Sequence, residues 1–210
     1  MALLFGGANI ALAEESGGFV GIGIGGGGTQ HTMESQEGKA SIDFDGINYG
    51  FVAGYKQFFN DYLGLRYYAN LDIFHNLKKF ESERPDITLI NYGINVDFLG
   101  NFVSTEIADF GGFIGVGIGG NKLTGKHIQD IKDTGASQIK VSDKGFDVWL
   151  NVGLRTNIAK YHGIELVARV PFLPVKMIDM TATDDTGFSF KYKQTLGQKY
   201  SILARYSFSF

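Results

Sequence analysis

Apolar and polar positions alternate with a period of two through most of this chain, the repeat of a strand whose two faces meet different surroundings. Eight segments show it, at about residues 18–29, 46–59, 63–74, 89–98, 110–120, 146–157, 162–171 and 188–210. In the second, Tyr49, Phe51, Ala53, Tyr55 and Phe59 share a face; in the third, Leu63, Leu65, Tyr67, Ala69, Leu71 and Ile73 do. The fourth has Ile90, Tyr92, Ile94, Val96 and Phe98, and the sixth Val148, Leu150, Val152 and Leu154. The last runs Tyr200, Ile202, Ala204, Tyr206, Phe208 and Phe210. The opposite parity carries Lys56, Arg66, Asn70, Asp72, Asn91, Asn95, Asp97, Asp147, Asn151, Arg155, Glu165, Arg169 and Arg205, diluted with glycine.

Two closed sheets fit such alternation. A soluble barrel buries the apolar face, whereas a membrane barrel turns it to lipid and keeps a polar lumen. Connection lengths favour the second. "Asn60-Asp61-Tyr62" and "Ala159-Lys160-Tyr161" are tight, while the intervening connections are long, as in barrels with short periplasmic turns and long external loops. Aromatic residues gather at strand ends (Tyr55, Phe59, Tyr62, Phe98), where interfacial girdles lie. Pro85, Pro171 and Pro174 all fall outside strand interiors, as ladder bonding requires. The predicted fold is all-β: an eight-stranded antiparallel up-and-down transmembrane barrel with long extracellular loops. The stretch 99–109, "GNFVSTEIADF", is long for a periplasmic turn.

Glycine needs a separate reading, because 30 of 210 residues are Gly. "GFVGIGIGGGG" (18–28) and "GFIGVGIGG" (112–120) could suggest a phosphate-binding loop, but neither leads into a Gly-Lys-Ser/Thr and a helical stripe. Their glycines alternate with Val and Ile, which is strand periodicity. In a narrow barrel they form a thinned inner wall opposite the long Arg, Tyr68 and Trp149 side chains.

A net charge of −3 argues against a nucleic-acid partner. With no Cys there is neither a disulfide framework nor a thiolate metal site. No run of 18 apolar residues is present, so a transmembrane helix is not expected. Residues 1–13, apolar and ending "Ala-Leu-Ala" before Glu14, read as the remnant of a truncated signal peptide. Residues 14–210 read as one barrel domain.

"AGYKQFF" (53–59) followed by "LGLRYY" (63–68), and "NVGLRTNIAKYHGIELVARVP" (151–171), resemble the Helicobacter outer membrane protein family. The resemblance implies an outer-membrane barrel; some members are porin-like and others are adhesins with a large domain inserted after the first strand. Here that place holds only the short stretch from His31 to Asp45, so the chain resembles a barrel-only member. Tyr206, Phe208 and Phe210 resemble the signal read by the barrel-assembly machinery.

Candidate chemistry is sparse. His31, His75, His127 and His162 lie without metal-ligand spacing and read as exposed loop residues, so no metal or other cofactor is expected. No Ser, His and carboxylate project together, so no enzymatic activity is expected. The inward charges are the strongest candidates. Lys56, Arg66, Arg155, Arg169 and Arg205 face Asp72, Asp97, Asp147 and Glu165 in near balance, which reads as an ion-pair plug and not a one-sign selectivity ring. The expected partners are outer-membrane lipid and lipopolysaccharide, and the assembly machinery during biogenesis. The expected function is a structural or surface-exposed outer-membrane barrel with a closed lumen. A small channel, or an adhesin or receptor acting through loops 121–145 and 172–199, remains open. The second of those loops reads as a hairpin standing above the membrane about Asp184–Gly187.

Overall fold

The computed structural model describes residues 16–77, 87–105, 107–125, 128–129, 141–183 and 189–210. Nine strands are present among them: β1 (Gly17–Ser35), β2 (Gly38–Phe58), β3 (Leu63–Asn76), β4 (Thr88–Ser104), β5 (Ala108–Thr124), β6 (Lys144–Ile158), β7 (His162–Pro171), β8 (Val175–Thr183) and β9 (Ser189–Ser209). Each pairs antiparallel with its neighbour in the order β1 to β7, then β9, and β9 pairs with β1 to close the ring. The expected signal remnant at 1–13 and most of the 121–145 loop lie outside the described residues.

The expected count of eight becomes nine because the seventh wall strand is split. β7 pairs with β9 from His162 to Arg169, and β8 continues along β9 from Val175 to Thr183 in the same direction. Between them, Pro171 and Pro174 lack the N–H that a ladder needs, so the wall is interrupted there. Where β7 pairs with β9, the barrel circumference is eight strands.

Alternation sorts the side chains. Val20, Ile22, Ile24, Phe51, Ile94, Val116, Leu154, Ile164 and Ile202 stand exposed on the outside, while Asp97, Trp149 and Asn151 are wholly buried inside. On β9 the outward apolar run from Tyr200 to Phe208 matches the ~9–11 residues with which a tilted strand crosses a bilayer. Tyr55 stacks on Tyr67 near one end of this band, and Tyr161 on Phe208.

The short-turn end is built by local chemistry. Asn60 Oδ1 accepts from the N–H groups of Tyr62 and Leu63 (2.9 and 2.8 Å), an Asx turn. Ala159 and Lys160 adopt φ of 50° and 68°, left-handed positions in the turn 159–161 that joins Ile158 to His162. The stretch 99–109 is not a long turn. β4 continues to Ser104 and β5 begins at Ala108, joined where Thr105 N donates to Ala108 O (3.1 Å). A bulge between Asn101 and Val103 breaks the parity and hides the strand in the sequence.

At the other end the residues from His31 to Asp45 are not a loop either. β1 and β2 stay in register out to Ser35 and Gly38. β1 also pairs with β9 there, from Thr29 to Ser35 against Gln198 to Tyr192. The result is a four-stranded wall, β2–β1–β9–β8, rising beyond the apolar band; Phe190 belongs to it, while the hairpin tip expected about Asp184–Gly187 lies outside the described residues.

Candidate functional site: the barrel lumen

Every inward charge singled out from the sequence is buried: Lys56, Arg66, Asp72, Asp97, Asp147, Arg155, Glu165, Arg169 and Arg205 all have relative exposures of 5% or less. Parity on β2, β3, β4, β6, β7 and β9 puts them there. Charges out of water need partners, and the strongest ones cross the bore.

Arg66, from β3, donates through Nη1 to Glu165 on β7 and through Nη2 to Asp97 on neighbouring β4 at 2.7 Å. Arg205 on β9 reaches the second oxygen of Glu165 at 3.3 Å. Higher up, Arg169 of β7 donates to Asp72 of β3, and its Nε to Asn151 Oδ1 at 2.9 Å. β3 and β7 are four places apart in an eight-membered ring, so both long pairs span it. Aromatic faces fill the gaps. The Arg66 guanidinium lies 4.7 Å from the Phe113 ring, 5.0 Å from Tyr68 and 5.6 Å from Phe19. Arg169 lies 5.1 Å from Trp149, and Arg155 5.5 Å from Phe58.

Asp147 is held differently from its charged companions. It accepts from Asn121 Nδ2 (2.8 Å) and from the N–H groups of Val148, Phe172 and Leu173 (2.7, 3.3 and 3.0 Å). It thereby secures the chain where β7 breaks. A run of amides leads to it: Asn95 donates to Asn70, Asn70 to Asn91, Asn91 to Asn121 (2.8, 2.9 and 2.9 Å). Trp149 Nε1 joins at Asn95 Oδ1, 2.6 Å away.

The glycines of β5 make space for this arrangement. A Cβ on Gly117 would sit 2.1 Å from Trp149 Nε1, and one on Gly115 2.1 Å from Asp97 Oδ1. Those of β1 serve apolar neighbours instead: Gly21 faces Val52 and Gly23 faces Leu203.

An apolar cap lies at the end opposite the short turns. Phe74, Ile87, Leu89, Leu123, Ile128, Val175, Met177, Ile178 and Leu196 form one buried cluster contributed by β3, β4, β5, β8, β9 and adjoining segments. Sequence reasoning missed it. The available signal was a parity change: on β3 the inward positions are polar through Asp72 and then become Phe74, and Leu89 and Leu123 do the same on β4 and β5.

The histidines do not converge. His31 is buried within β1, a correction to its reading as an exposed loop residue, because β1 runs through that position. His75 bonds Thr88 Oγ1 at 2.9 Å and His162 bonds the Tyr206 hydroxyl at 2.7 Å; His127 lies outside the described residues. Tyr206 and Phe208 point outward on β9, against β1 and β7.

Comparison with known proteins agrees with this architecture. A family model described as "Helicobacter outer membrane protein" matches residues 50–210. Among solved structures, the outer membrane protein OprG from Pseudomonas aeruginosa is similar at 12% identity and a TM-score of 0.50, over 94% of this chain and 98% of that one. Neisserial surface protein A aligns at 13% identity and a TM-score of 0.47, over 94% and 100%. At these identities the OprG likeness is one of fold. No curated protein sequence matches the chain.

Proposed function

Because this chain belongs to the Helicobacter outer membrane protein family, and is an integral β-barrel of the outer membrane, we propose that it is a structural, surface-presenting barrel whose lumen does not conduct. The observation that carries the reading is the pair of ion bridges spanning the bore, Arg66–Glu165 and Arg169–Asp72. Cations and anions are nearly balanced within the bore, whereas a selectivity ring shows one sign. The apolar cap adds a second closure at the other end. No enzymatic role is proposed. The long hairpins would face outside and the short turns the periplasm, following the rule for such barrels. The barrel-assembly machinery is proposed to read the last strand through Tyr206, Phe208 and Phe210.

Purified protein in a planar bilayer tests the closed lumen. Wild type is expected to give no steady conductance under conditions where its unboiled band shows a compact, heat-modifiable barrel on a gel. A reproducible open channel from the same preparation would shift the reading to a small pore. Cysteine at Lys39 is expected to react with an impermeant thiol reagent on intact cells, and cysteine at Asn60 only after the outer membrane is opened.

A further inference from the structure

The interruption of the seventh wall strand leaves a cleft on the outer face of the β1–β9 seam. β9 pairs with β7 up to Ser201 and with β8 from Leu196 on, so residues 197–200 lack a ladder partner on that side. Pro174 lies over Gly197, where a Cβ would stand 2.7 Å from the Pro174 ring. The cleft measures about 350 Å³ and includes Lys39, Lys193 and Lys199 in its lining against a single carboxylate, Glu34. Glu34 stands in register between the first two, opposite Lys39 on β2 and Lys193 on β9. Among the described residues neither of these ammonium groups makes an ion pair, whereas Lys199 binds Asp43 at 3.0 Å.

The position of the cleft identifies its surroundings. Tyr200 is the last outward apolar residue of β9, and the cleft begins beside it; exposed Phe172 forms part of its rim. It therefore sits at the edge of the lipid-facing band, where headgroups lie. Farther along the same seam toward the short turns, past residues 25–29 of β1, runs an apolar groove of about 550 Å³, with Ile22, Ile24, Tyr49 and Ala204 among its walls. The small Ala204 side chain leaves the depression.

A cationic cleft and an apolar groove along one seam fit the two ends of an anionic amphiphile. We propose that this seam holds one molecule of lipopolysaccharide, with a phosphomonoester of its lipid anchor among Lys39, Lys193 and Lys199 and an acyl chain along the groove. The assignment rests on the outer-membrane placement and hairpin-outward orientation given above, but not on whether the lumen conducts. The lysine ammoniums supply point charges to phosphate, and the exposed Asp43–Lys199 pair is weak enough to yield Lys199 to it.

Native mass spectrometry of the folded full chain in detergent, titrated with bisphosphorylated lipid A, tests this directly. One bound lipid is expected. Lys39→Glu with Lys193→Glu and Lys199→Glu is expected to weaken binding by about tenfold or more, since each lysine near an anionic surface contributes appreciably. The same charge change at Lys122, Lys144 and Lys160, away from the seam, is expected to leave binding unchanged. Ala204→Trp, which fills the groove, is expected to weaken lipid A but not inorganic phosphate. Equal loss from the two lysine triples would overturn the site, as would equal affinity for dephosphorylated lipid A. Inorganic phosphate binding as tightly as lipid A would make it a phosphate site and end the lipid assignment. Heat-modifiable migration and conductance of the same samples report separately on the barrel and on lumen closure.

Discussion

Arg66 on β3 and Arg169 on β7 reach across the lumen in opposite directions, each into a carboxylate on the other's strand. β3 carries its cation near the short turns and Asp72 one layer up; β7 carries Glu165 low and Arg169 high. The two strands run the same way, so the reversed polarity fixes their relative height. A slip of β7 by two residues would keep its faces but misalign both bridges at once.

Removing one member of such a bridge leaves its partner charged and dry. Arg169→Ala is therefore expected to cost about 3–5 kcal/mol, read as a fall in the temperature at which the folded band unfolds in detergent. Arg66→Ala should act in the same direction, because it takes the Arg66 partner from Asp97, while Glu165 keeps Arg205. Replacing Arg169 and Asp72 together by Met should recover most of the loss, since paired apolar replacement is often neutral. If the double variant is no better than the single, the bridge acts by geometry and not by charge compensation.

Trp149 depends on a missing side chain. Its indole occupies the space that a Cβ on Gly117 would take, 2.1 Å from Nε1, while a Cβ on Gly23 would come no nearer than 3.3 Å to any atom outside its chain neighbours. Gly117→Ala is expected to destabilise by about 1–3 kcal/mol, the range for overpacking, and Gly23→Ala by much less. Combining Gly117→Ala with Trp149→Phe should restore part of the loss. Chemical denaturation of the refolded barrel in detergent would measure all three.

Asp43 gives a pH-dependent link above the band. The hydrogen bond from Lys199 (3.0 Å), then that from Gln30 (2.8 Å), holds its carboxyl below the usual 3.8. A depressed carboxyl favours the folded link above the unfolded value, and the link is lost as pH falls through the lower folded value. The three residues belong to β2, β9 and β1, so the link joins three strands of the wall. The carboxyl carbon shift of Asp43 should titrate below pH 3.8 and move back toward it in Lys199→Ala. High salt should produce the same drift, because the pair is exposed.

Within the bilayer, the sequence was close to a full description. Lipid outside and charge inside impose the period of two, so parity alone assigned all nine inward charges. Beyond the band that contrast disappears. Thr32 and Ser41 face each other at 3.0 Å in a regular ladder, yet both look like loop residues because water meets both sides of the strand. The bulge at Asn101 and Val103 shifted the parity and shortened the apparent strand. Which charges would pair was also out of reach. Asp147 belongs to the inward set, but besides Asn121 its partners include the N–H groups of a strand interruption that only three-dimensional pairing creates. Pro171 and Pro174 did mark that break, yet the return of the strand as β8 left no signature in hydrophobic period.

The two proposed closures of the lumen make a last prediction, about which must fail before ions pass. The apolar cap excludes water by offering it no partners, so it acts as a dewetted constriction. The bridges below it act by filling the bore with matched charge. They lie at different levels: Leu89 and Leu123 pair at the outer ends of β4 and β5, while Asp97 sits eight residues along β4 from Leu89. Wetting the cap with Leu89→Ser and Leu123→Ser should leave the bridges intact and give no steady conductance. Arg66→Ala, Glu165→Ala, Arg169→Ala and Asp72→Ala together should remove both bridges beneath an intact cap, again without conductance. The cap and bridge changes combined should produce a measurable pore in planar bilayers, provided that the unboiled band confirms a folded barrel. Conductance from the cap variant alone would show that the bridges do not close the bore, and conductance from the bridge variant alone would show that the cap does not.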